Sequence, residues 1–229
     1  MLKLNFFLVL SVIFSGSLFA QSVSLTIHYD SQAYLSDGSY QTTQFDDLFV
    51  RDQQNVWFSR IFPPLLEKLH NNQVEPINKH LDLTSSARWI HKDNSTKGEI
   101  TLKLFNPKDR TLVSVPKIEF GSVGFDGNWD RAYFLFPPEY LKKMKKTESK
   151  QDKLTGYNLD RYESVANNQE TSVVWNRDLK IPEKISYKNK NGLLIRNISV
   201  TVNSKDLAII KPWETLGKTI QREYEDYLD

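Results

Sequence analysis

The sequence has no cysteine among its 229 residues. This absence excludes disulfide bonds, cysteine-ligated zinc or iron–sulfur sites, a thiol nucleophile and a lipidated N-terminal cysteine. An excess of charge of one sign is also missing, because 30 Lys and Arg residues stand against 28 Asp and Glu residues. A nearly balanced charge argues against a dedicated nucleic-acid-binding protein. At 39% hydrophobic residues, the composition is that of an ordinary folded domain.

Long hydrophobic runs are absent except near the N-terminus. Lys3 precedes an apolar run over residues 4–14, and small and polar residues follow up to Ala20. This pattern is typical of a secretory signal peptide, and the run is shorter than the roughly 20 residues of a membrane-spanning helix. We predict that residues 1–20 are a signal peptide cleaved after Ala20 and that residues 21–229 form one exported domain. Export without disulfides favours the bacterial periplasm.

Alternating apolar and polar residues predict a mainly β protein of the α+β class. Val23, Leu25 and Ile27 alternate with polar residues, which is the pattern of a half-buried strand. Asn191-Gly192 suits the tight turn of a hairpin, because both positions tolerate positive φ angles. Hairpins joined by short turns give antiparallel sheets. The predicted hairpins pair Phe45–Arg51 with Val56–Phe62, Thr101–Phe105 with Thr111–Val115, and Ile185–Lys188 with Leu193–Val202.

Helical signals are fewer and lie between or after the strands. Trp213, Leu216 and Ile220 recur at spacings of three and four residues, which predicts an amphipathic helix in the C-terminal segment 204–229. Such a helix is expected to pack on the sheet. The helices predicted from these patterns cover Leu83–Ile90, Pro137–Met144 and Pro212–Leu228, and surface loops are predicted for Pro63–Lys79 and Lys145–Lys153.

The last third of the sequence contains a Trp–Pro–Gly meander. Its segments are Gly156–Glu163, Thr171–Trp175, Leu179–Ile185 and Asn191–Leu193 with the strand that follows. Residues 156–203 resemble the closing meander of the LolA-like outer-membrane lipoprotein carriers and related exported β-rich proteins. The resemblance implies a curved antiparallel sheet or half-barrel closed by a few helices. It also implies an apolar ligand, such as acyl chains, on the concave face.

Arg196 interrupts an otherwise apolar strand face. It shares that face with Leu194, Ile198 and Val200, because alternate residues of a strand point the same way. A guanidinium there is paired, reaches water at the sheet edge near the turn, or meets the anionic head group of a ligand. Trp175 and Trp57 are further candidates for ligand binding, with core packing as the alternative.

Three histidines, His70, His80 and His91, are candidate ligands for a metal or haem iron. They lie ten and eleven residues apart and form no local pair of ligands such as HxxxH. A metal site would therefore need the fold to bring them together. The alternative is that they are solvated surface side chains, and the patterns assign no cofactor.

A cluster of lysines defines a candidate electrostatic patch. Its members are Lys142, Lys143, Lys145 and Lys146. Such a patch would contact anionic lipid head groups or an acidic partner at the periphery of a membrane. The alternative is a solvated helix end and loop. No interleaved aromatic platform for nucleic acid accompanies the lysines.

The sequence has no recognisable catalytic motif. It contains neither a phosphate-binding loop nor a nucleophile elbow. Asp46 and Asp47 are adjacent on a predicted strand, so they point to opposite faces and cannot share a proton. We therefore predict a non-catalytic periplasmic binding, carrier or envelope-assembly protein, whose partner is a lipid-like ligand or an envelope protein. The alternatives are a metal- or haem-associated accessory protein and an unrecognised hydrolase.

Overall fold

The computed structural model describes residues 22–35, 37–64, 81–94, 98–204 and 209–227. Twelve strands form one curved open sheet with the order β12-β6-β5-β4-β3-β2-β1-β11-β10-β9-β8-β7. The strands are β1 (Val23–Tyr34), β2 (Tyr40–Arg51), β3 (Asn55–Ile61), β4 (Ala87–Lys92), β5 (Ile100–Asn106), β6 (Thr111–Val115), β7 (Lys145–Gln151), β8 (Asn158–Ala166), β9 (Gln169–Asn176), β10 (Ile181–Asn189), β11 (Leu194–Ser204) and β12 (Ile220–Glu223).

The described residues also form three short α-helices. They are α1 (Trp129–Phe134), α2 (Pro138–Leu141) and α3 (Pro212–Thr215). Asn128 caps the start of α1, because its side-chain oxygen accepts a hydrogen bond from the backbone of Arg131 at 2.9 Å. The fold class predicted from the sequence, a mainly β protein with a curved antiparallel sheet and a few helices, is confirmed.

The pairing of the strands is antiparallel except at one edge of the sheet, where β12 runs parallel to β6. The first strand lies in the middle of the sheet, with β2 on one side and β11 on the other. The three predicted hairpins are confirmed as β2–β3, β5–β6 and β10–β11. Because side chains alternate along each strand, this register decides which residues share a face.

One face of the sheet is covered by residues 117–144, which connect β6 to β7 and include α1 and α2; we call them the covering segment. Phe125 and Tyr133 of this segment pack in one core cluster with residues of β1 to β6. Phe136 packs in a second cluster with Val173 and Ile185 of β9 and β10. The covering segment therefore spans both halves of the sheet, and we call the face beneath it the concave face.

A third cluster lies on the opposite, convex face. Val50 and Trp57 are buried there. Trp213 and Leu216, from the C-terminal part of the chain, pack against them. The two faces of β2 to β4 are thus both covered, one by the covering segment and the other by residues that follow β11.

The helix predicted for Leu83–Ile90 is wrong. The Asp82 carboxylate accepts hydrogen bonds from the backbone of Thr84 and Ser85, which holds residues 82–85 in a turn. The residues after the turn form β4, which pairs with β3 and β5. Pairing with two strands outweighs the local helical preference of this stretch.

The continuous helix predicted for Pro212–Leu228 is also wrong, although a short helix does begin at Pro212. Gly217 has a φ angle of 63°, a left-handed conformation that a continuing helix does not allow. The guanidinium of Arg110 donates hydrogen bonds to the backbone carbonyls of Leu216 and Lys218, and β12 then pairs with β6. A 3₁₀ turn over Tyr224–Tyr227 follows.

The surface loop predicted for Lys145–Lys153 is wrong as well. Its first seven residues form β7, an edge strand on which every residue is exposed. In the same region, α2 ends at Leu141, three residues before the predicted end at Met144. The predicted signal peptide, residues 1–20, lies outside the described residues, as does most of the predicted loop Pro63–Lys79. Among the described residues, no helix has the length and apolar character needed to span a bilayer.

Candidate ligand-binding groove

Three adjoining cavities lie on the concave face. The first cavity has a volume of about 210 Å³ and lies over β1 to β4. The middle cavity, of about 270 Å³, shares Tyr29, Phe58 and Arg88 with the first. The distal cavity, of about 480 Å³, shares Arg131 and Leu135 with the middle one. Because the first and middle cavities share lining residues, and so do the middle and distal ones, the three lie in a row, which we call the groove.

The first cavity contains an ion pair beside two stacked aromatic rings. The guanidinium of Arg60 donates a hydrogen bond to the Asp47 carboxylate at 2.8 Å and lies 3.6 Å from the centre of the Phe45 ring. The Tyr29 ring stacks on Phe45 with 4.5 Å between ring centres. Strand alternation places these side chains on the concave face, since Tyr29 pairs with Phe45 and Asp47 pairs with Arg60.

Burial raises the pKa values of two side chains in this cavity. Desolvation raises the pKa of Asp47 above its ordinary value, and the nearby charges of Arg60 and Arg88 partly offset the increase. Burial likewise raises the pKa of Tyr29, and the charge of Asp47 adds to the increase. Tyr29 therefore stays protonated at neutral pH, as a hydrogen-bond donor.

Arg88 lies in the wall between the first and middle cavities. Its guanidinium makes no hydrogen bond or ion pair within the part of the chain that the structure describes. Gly124, in the covering segment, has a φ angle of 76°, and a Cβ atom at that position would lie 3.6 Å from Nη2 of Arg88. Glycine thus permits the left-handed backbone, whereas the Cβ atom would make an ordinary van der Waals contact with the guanidinium.

The rest of the groove is largely apolar. Ile90 and Phe125 line the middle cavity, whereas Phe136 and Met144 line the distal one. Tyr187 also borders the distal cavity. Burial raises its pKa, and the positive charges of two arginines partly offset that increase. Such a lining accepts an alkyl chain, because burial of apolar surface provides the main driving force for binding.

The structure places Arg196 near the distal cavity but not in its lining. Arg196 is exposed, and its register partners on the concave face are Ser31 and Tyr187. Its positive charge affects the pKa of Tyr187, so the two side chains are close. The predicted role of Arg196 as a ligand anchor stays a prediction.

The two tryptophans predicted as ligand contacts are buried in packing clusters. Trp57 is 4% exposed on the convex face, with its ring centre 6.2 Å from that of Phe105. Trp175 is 7% exposed and packs with Phe136 in the second cluster. Trp57 lies on the opposite face from the groove, so their placement favours packing, and their ligand role stays a prediction.

Of the three candidate metal-binding histidines, the structure describes His91. It lies on β4 and pairs with Asn55, whose side-chain oxygen is 3.0 Å from Nδ1 of His91. His70 and His80 lie outside the described residues. Among the residues that are described, no group of three or more His, Asp or Glu side chains is arranged to hold a metal ion.

The predicted lysine patch is partly neutralised. Lys146 forms an ion pair with the buried carboxylate of Asp160 at 2.8 Å. Lys143 lines the distal cavity, with its ammonium 5.8 Å from the centre of the Tyr140 ring. Lys142 and Lys145 are exposed. Binding of an anionic surface by this patch stays a prediction.

The residues of the first cavity were not predicted as a site. Asp47 was recognised as facing away from Asp46, but its pairing with Arg60 depends on the β2–β3 register. Arg88 lies in the stretch that was mispredicted as a helix, so the face on which it lies was not predicted. Alternation of Ala87, Trp89 and His91 with charged or aliphatic residues was the signal that would have revealed a strand.

No protein-family model matches the sequence, and no curated protein matches it. Solved structures do show similarity. PNGF-II aligns at 15% identity with a TM-score of 0.38, over 90% of this chain and 32% of its own. This chain therefore spans about a third of the length of PNGF-II.

Two further similar structures come from bacteria. A lipoprotein-sorting protein domain of the outer membrane from Vibrio parahaemolyticus aligns at 10% identity and a TM-score of 0.31, over 86% of this chain and 92% of its own. A LolA superfamily protein from Nitrosomonas europaea aligns at 9% identity and a TM-score of 0.32, over 85% and 92% respectively. The resemblance to LolA-like proteins predicted from residues 156–203 is thus confirmed as a weak similarity.

Proposed function

We propose that this protein is an exported, non-catalytic binding or carrier protein that holds an elongated, lipid-like ligand in the groove. The observation that carries the proposal is the row of three adjacent cavities along the concave face. Arg88 lines both the first and the middle cavity, and Leu135 lines both the middle and the distal cavity. A ligand that is long, narrow and mostly apolar fits such a depression better than a compact polar metabolite does.

The side chains of the groove support an apolar ligand. Phe125 and Leu135 present apolar surface in the middle cavity, and Phe136 and Met144 do so in the distal cavity. A methionine at such a site adapts to ligands of different shape, because its side chain is unbranched and flexible. Each methylene group of a bound alkyl chain contributes about 0.8 kcal/mol when it is buried. A chain of a dozen carbons therefore provides ample driving force for binding.

Export to the periplasm is the second part of the proposal, and the N-terminal sequence supports it. Lys3, the apolar run and Ala20 form the pattern of a cleaved signal peptide. N-terminal sequencing of the protein from a periplasmic extract tests the cleavage. A mature chain beginning at Gln21 is expected, and an intact Met1 would contradict export by this route.

Binding is tested directly with 1-dodecanol, an uncharged chain of twelve carbons. Isothermal titration calorimetry of the protein, stripped of lipid by organic extraction, is expected to show saturable binding. A tryptophan at Ala166, which lines the distal cavity on an exposed strand end, would fill that cavity and weaken binding. Val165 is the matched control, because it lies next to Ala166 on β8 and is 62% exposed. Adjacent residues of a strand point to opposite faces.

The expected result is that Ala166→Trp weakens dodecanol binding by tenfold or more, on the order of the loss of two buried methylene groups. Val165→Trp is expected to bind dodecanol as the wild type does. Absence of dodecanol binding by the wild type, or equal binding by the two variants, would contradict a ligand in the groove. Native mass spectrometry of protein purified from the periplasm would then identify the natural ligand.

A further inference from the structure

We propose that the first cavity binds the carboxylate head group of the ligand and that Arg88 is its principal anchor. This inference rests on the proposed function, because it assumes that an apolar chain occupies the rest of the groove. It names the ligand class more narrowly, as a single-chain carboxylic acid such as a fatty acid. Three independent features of the cavity support it.

The first feature is a positive charge that forms no ion pair with the described residues. Asp47 and Arg60 neutralise each other through their 2.8 Å ion pair. Arg88 lines the same cavity and has no hydrogen-bonding or ion-pairing partner in the described part of the chain. The three side chains together carry one net positive charge, which matches a single carboxylate. A half-buried guanidinium is stabilised by such a partner, since it presents donors in the geometry that a carboxylate accepts.

The second feature is an unpartnered hydroxyl. Ser86 is 5% exposed and lines the first cavity, and its Oγ has no hydrogen-bond partner among the described residues. Leaving a buried polar group without a partner costs roughly 1–3 kcal/mol. The Oγ atom has almost no accessible surface, so a bound carboxylate would accept a hydrogen bond from this hydroxyl, and remove that cost, once the Ser86 side chain rotates toward the cavity. Ser86 directly precedes β4 and Arg88 is the second residue of that strand, so both approach the cavity from the same strand end.

The third feature is the position of Arg88 at the junction of two cavities. Its side chain lines both the polar first cavity and the more apolar middle one. A carboxylate bound there has its alkyl chain directed into the middle cavity, past Phe125 and Leu135.

A monoanionic carboxylate fits the cavity better than a phosphate head group. A phosphate monoester carries up to two negative charges near neutral pH. Asp47 is a carboxylate within the same cavity, so a second negative charge on the ligand would be opposed by repulsion rather than matched. The net charge of the cavity thus favours a carboxylate over a phosphate.

Isothermal titration calorimetry with three ligands of equal chain length tests this proposal. Dodecanoate carries the carboxylate, dodecyl phosphate carries a phosphate, and 1-dodecanol carries no charge. Wild-type protein is expected to bind dodecanoate about tenfold more tightly than dodecanol, as one charge-assisted hydrogen-bonded pair provides. It is also expected to bind dodecyl phosphate more weakly than dodecanoate.

Two substitutions separate the head-group site from the groove. Arg88→Gln is expected to abolish the preference for dodecanoate, measured as the ratio of the dodecanoate and dodecanol affinities of the same variant. Ser86→Ala is expected to weaken dodecanoate binding by about tenfold, the effect of one lost charge-assisted hydrogen bond, without lowering thermal stability. The control is Arg222→Gln, because Arg222 is exposed on the edge strand β12 and lines none of the three cavities. It is expected to behave as the wild type.

The outcomes distinguish this inference from the proposed function. If dodecanol and dodecanoate bind equally, the groove binds a chain but the head-group site is refuted. The same holds if Arg196→Gln rather than Arg88→Gln removes the preference, because the anchor would then lie at the distal end. Tighter binding of dodecyl phosphate than of dodecanoate would overturn the carboxylate assignment. If none of the three ligands binds, the proposed function itself fails.

Discussion

The guanidinium of Arg51 donates a hydrogen bond to the backbone carbonyl of Tyr133, 82 positions away in the sequence. Arg51 is 1% exposed and also donates to the carbonyl of Leu179. Its guanidinium lies 4.5 Å from the centre of the Tyr133 ring. Burial lowers the pKa of Arg51 to about 10, so it is still charged at neutral pH. A buried cation on β2 therefore fastens the covering segment, and with it the wall of the groove, to the sheet.

Replacing Arg51 by methionine tests this attachment. We expect Arg51→Met to lower the free energy of unfolding by about 3 kcal/mol, because two buried carbonyl oxygens lose their donors. Urea denaturation followed by tryptophan fluorescence measures the change. Arg51→Lys, which keeps the charge but not the two-pronged donor, is expected to fall between the wild type and Arg51→Met. Unchanged or increased stability of Arg51→Met would show that the buried charge costs more than its hydrogen bonds contribute.

Asp160 gives the protein a predictable response to acid. Burial alone would raise the pKa of Asp160, but hydrogen bonds from Lys146 and Ser149 outweigh it and hold the pKa below the ordinary value of 3.8. A lowered pKa in the folded state stabilises the fold above the pKa of the unfolded state, and this contribution is lost as the pH falls through the folded value. The ionised Asp160 carboxylate therefore makes its full contribution to the free energy of unfolding near neutral pH, and this contribution declines below about pH 3.8.

We expect Asp160→Asn to cost about 2 kcal/mol of stability at pH 7, because Lys146 loses a buried partner. The cost should shrink when the same denaturation is repeated at decreasing pH below 4. The exposed carboxylate of Glu148, which pairs with Lys150 at 3.4 Å, provides the control. Glu148→Gln is expected to change stability little at any pH. A cost for Asp160→Asn that is the same at low and neutral pH would contradict the assignment.

Asp47 should weaken the binding of an anionic ligand, because its negative charge lies in the cavity that we assign to the carboxylate. We predict that Asp47→Asn binds dodecanoate at least about threefold more tightly at pH 7, since a like charge a few ångströms away is removed. The gain is measured relative to the dodecanol affinity of the same variant. Asp46→Asn is the matched control: it removes the same charge from the adjacent residue, which faces the other way and lies 2.6 Å from Nδ1 of His28. An equal gain from both variants would indicate a general effect of charge.

Trp57 distinguishes packing from ligand contact. We expect Trp57→Ala to lower the free energy of unfolding by about 4 kcal/mol, because it leaves a cavity in the convex cluster. Dodecanol binding, measured by calorimetry under conditions where the variant is folded, should be retained. Loss of binding by the folded variant would instead support the ligand role predicted for Trp57 from the sequence.

The hairpins could be predicted because their signals are local. Apolar alternation and the Asn191-Gly192 turn lie within a few residues of one another, and they correctly indicated β10 and β11. The same reasoning failed for residues 212–227. Trp213 and Leu216 pack in the convex cluster, whereas Tyr224 packs in the main core cluster. Their spacing resembles that of one helix face, but in the fold they pack in two different clusters.

Long-range partners explain what the sequence could not predict. β7 has no apolar pattern at all, and its pairing with β8 is accompanied by the ion pair between Lys146 and Asp160. From the sequence alone, Arg51 would be predicted as an exposed residue at the end of a strand. Its carbonyl partners belong to distant parts of the chain, so no local pattern indicates that it is buried. The first cavity likewise needs the registers of β1 to β4 together. Each of these features depends on contacts that no local pattern encodes.

The central position of β1 has a consequence for folding. One side of β1 pairs with β2, but the other side has no partner until β11 has been made; the side chain of Thr26, for example, donates to that of Asn203, 177 positions away. Contacts between residues so far apart slow folding, because a long loop must close before they form. Until then β1 is an open, apolar edge prone to intermolecular pairing. In the newly made chain, the edge of β1 therefore stays open to intermolecular pairing until β11, the last long strand, pairs with it.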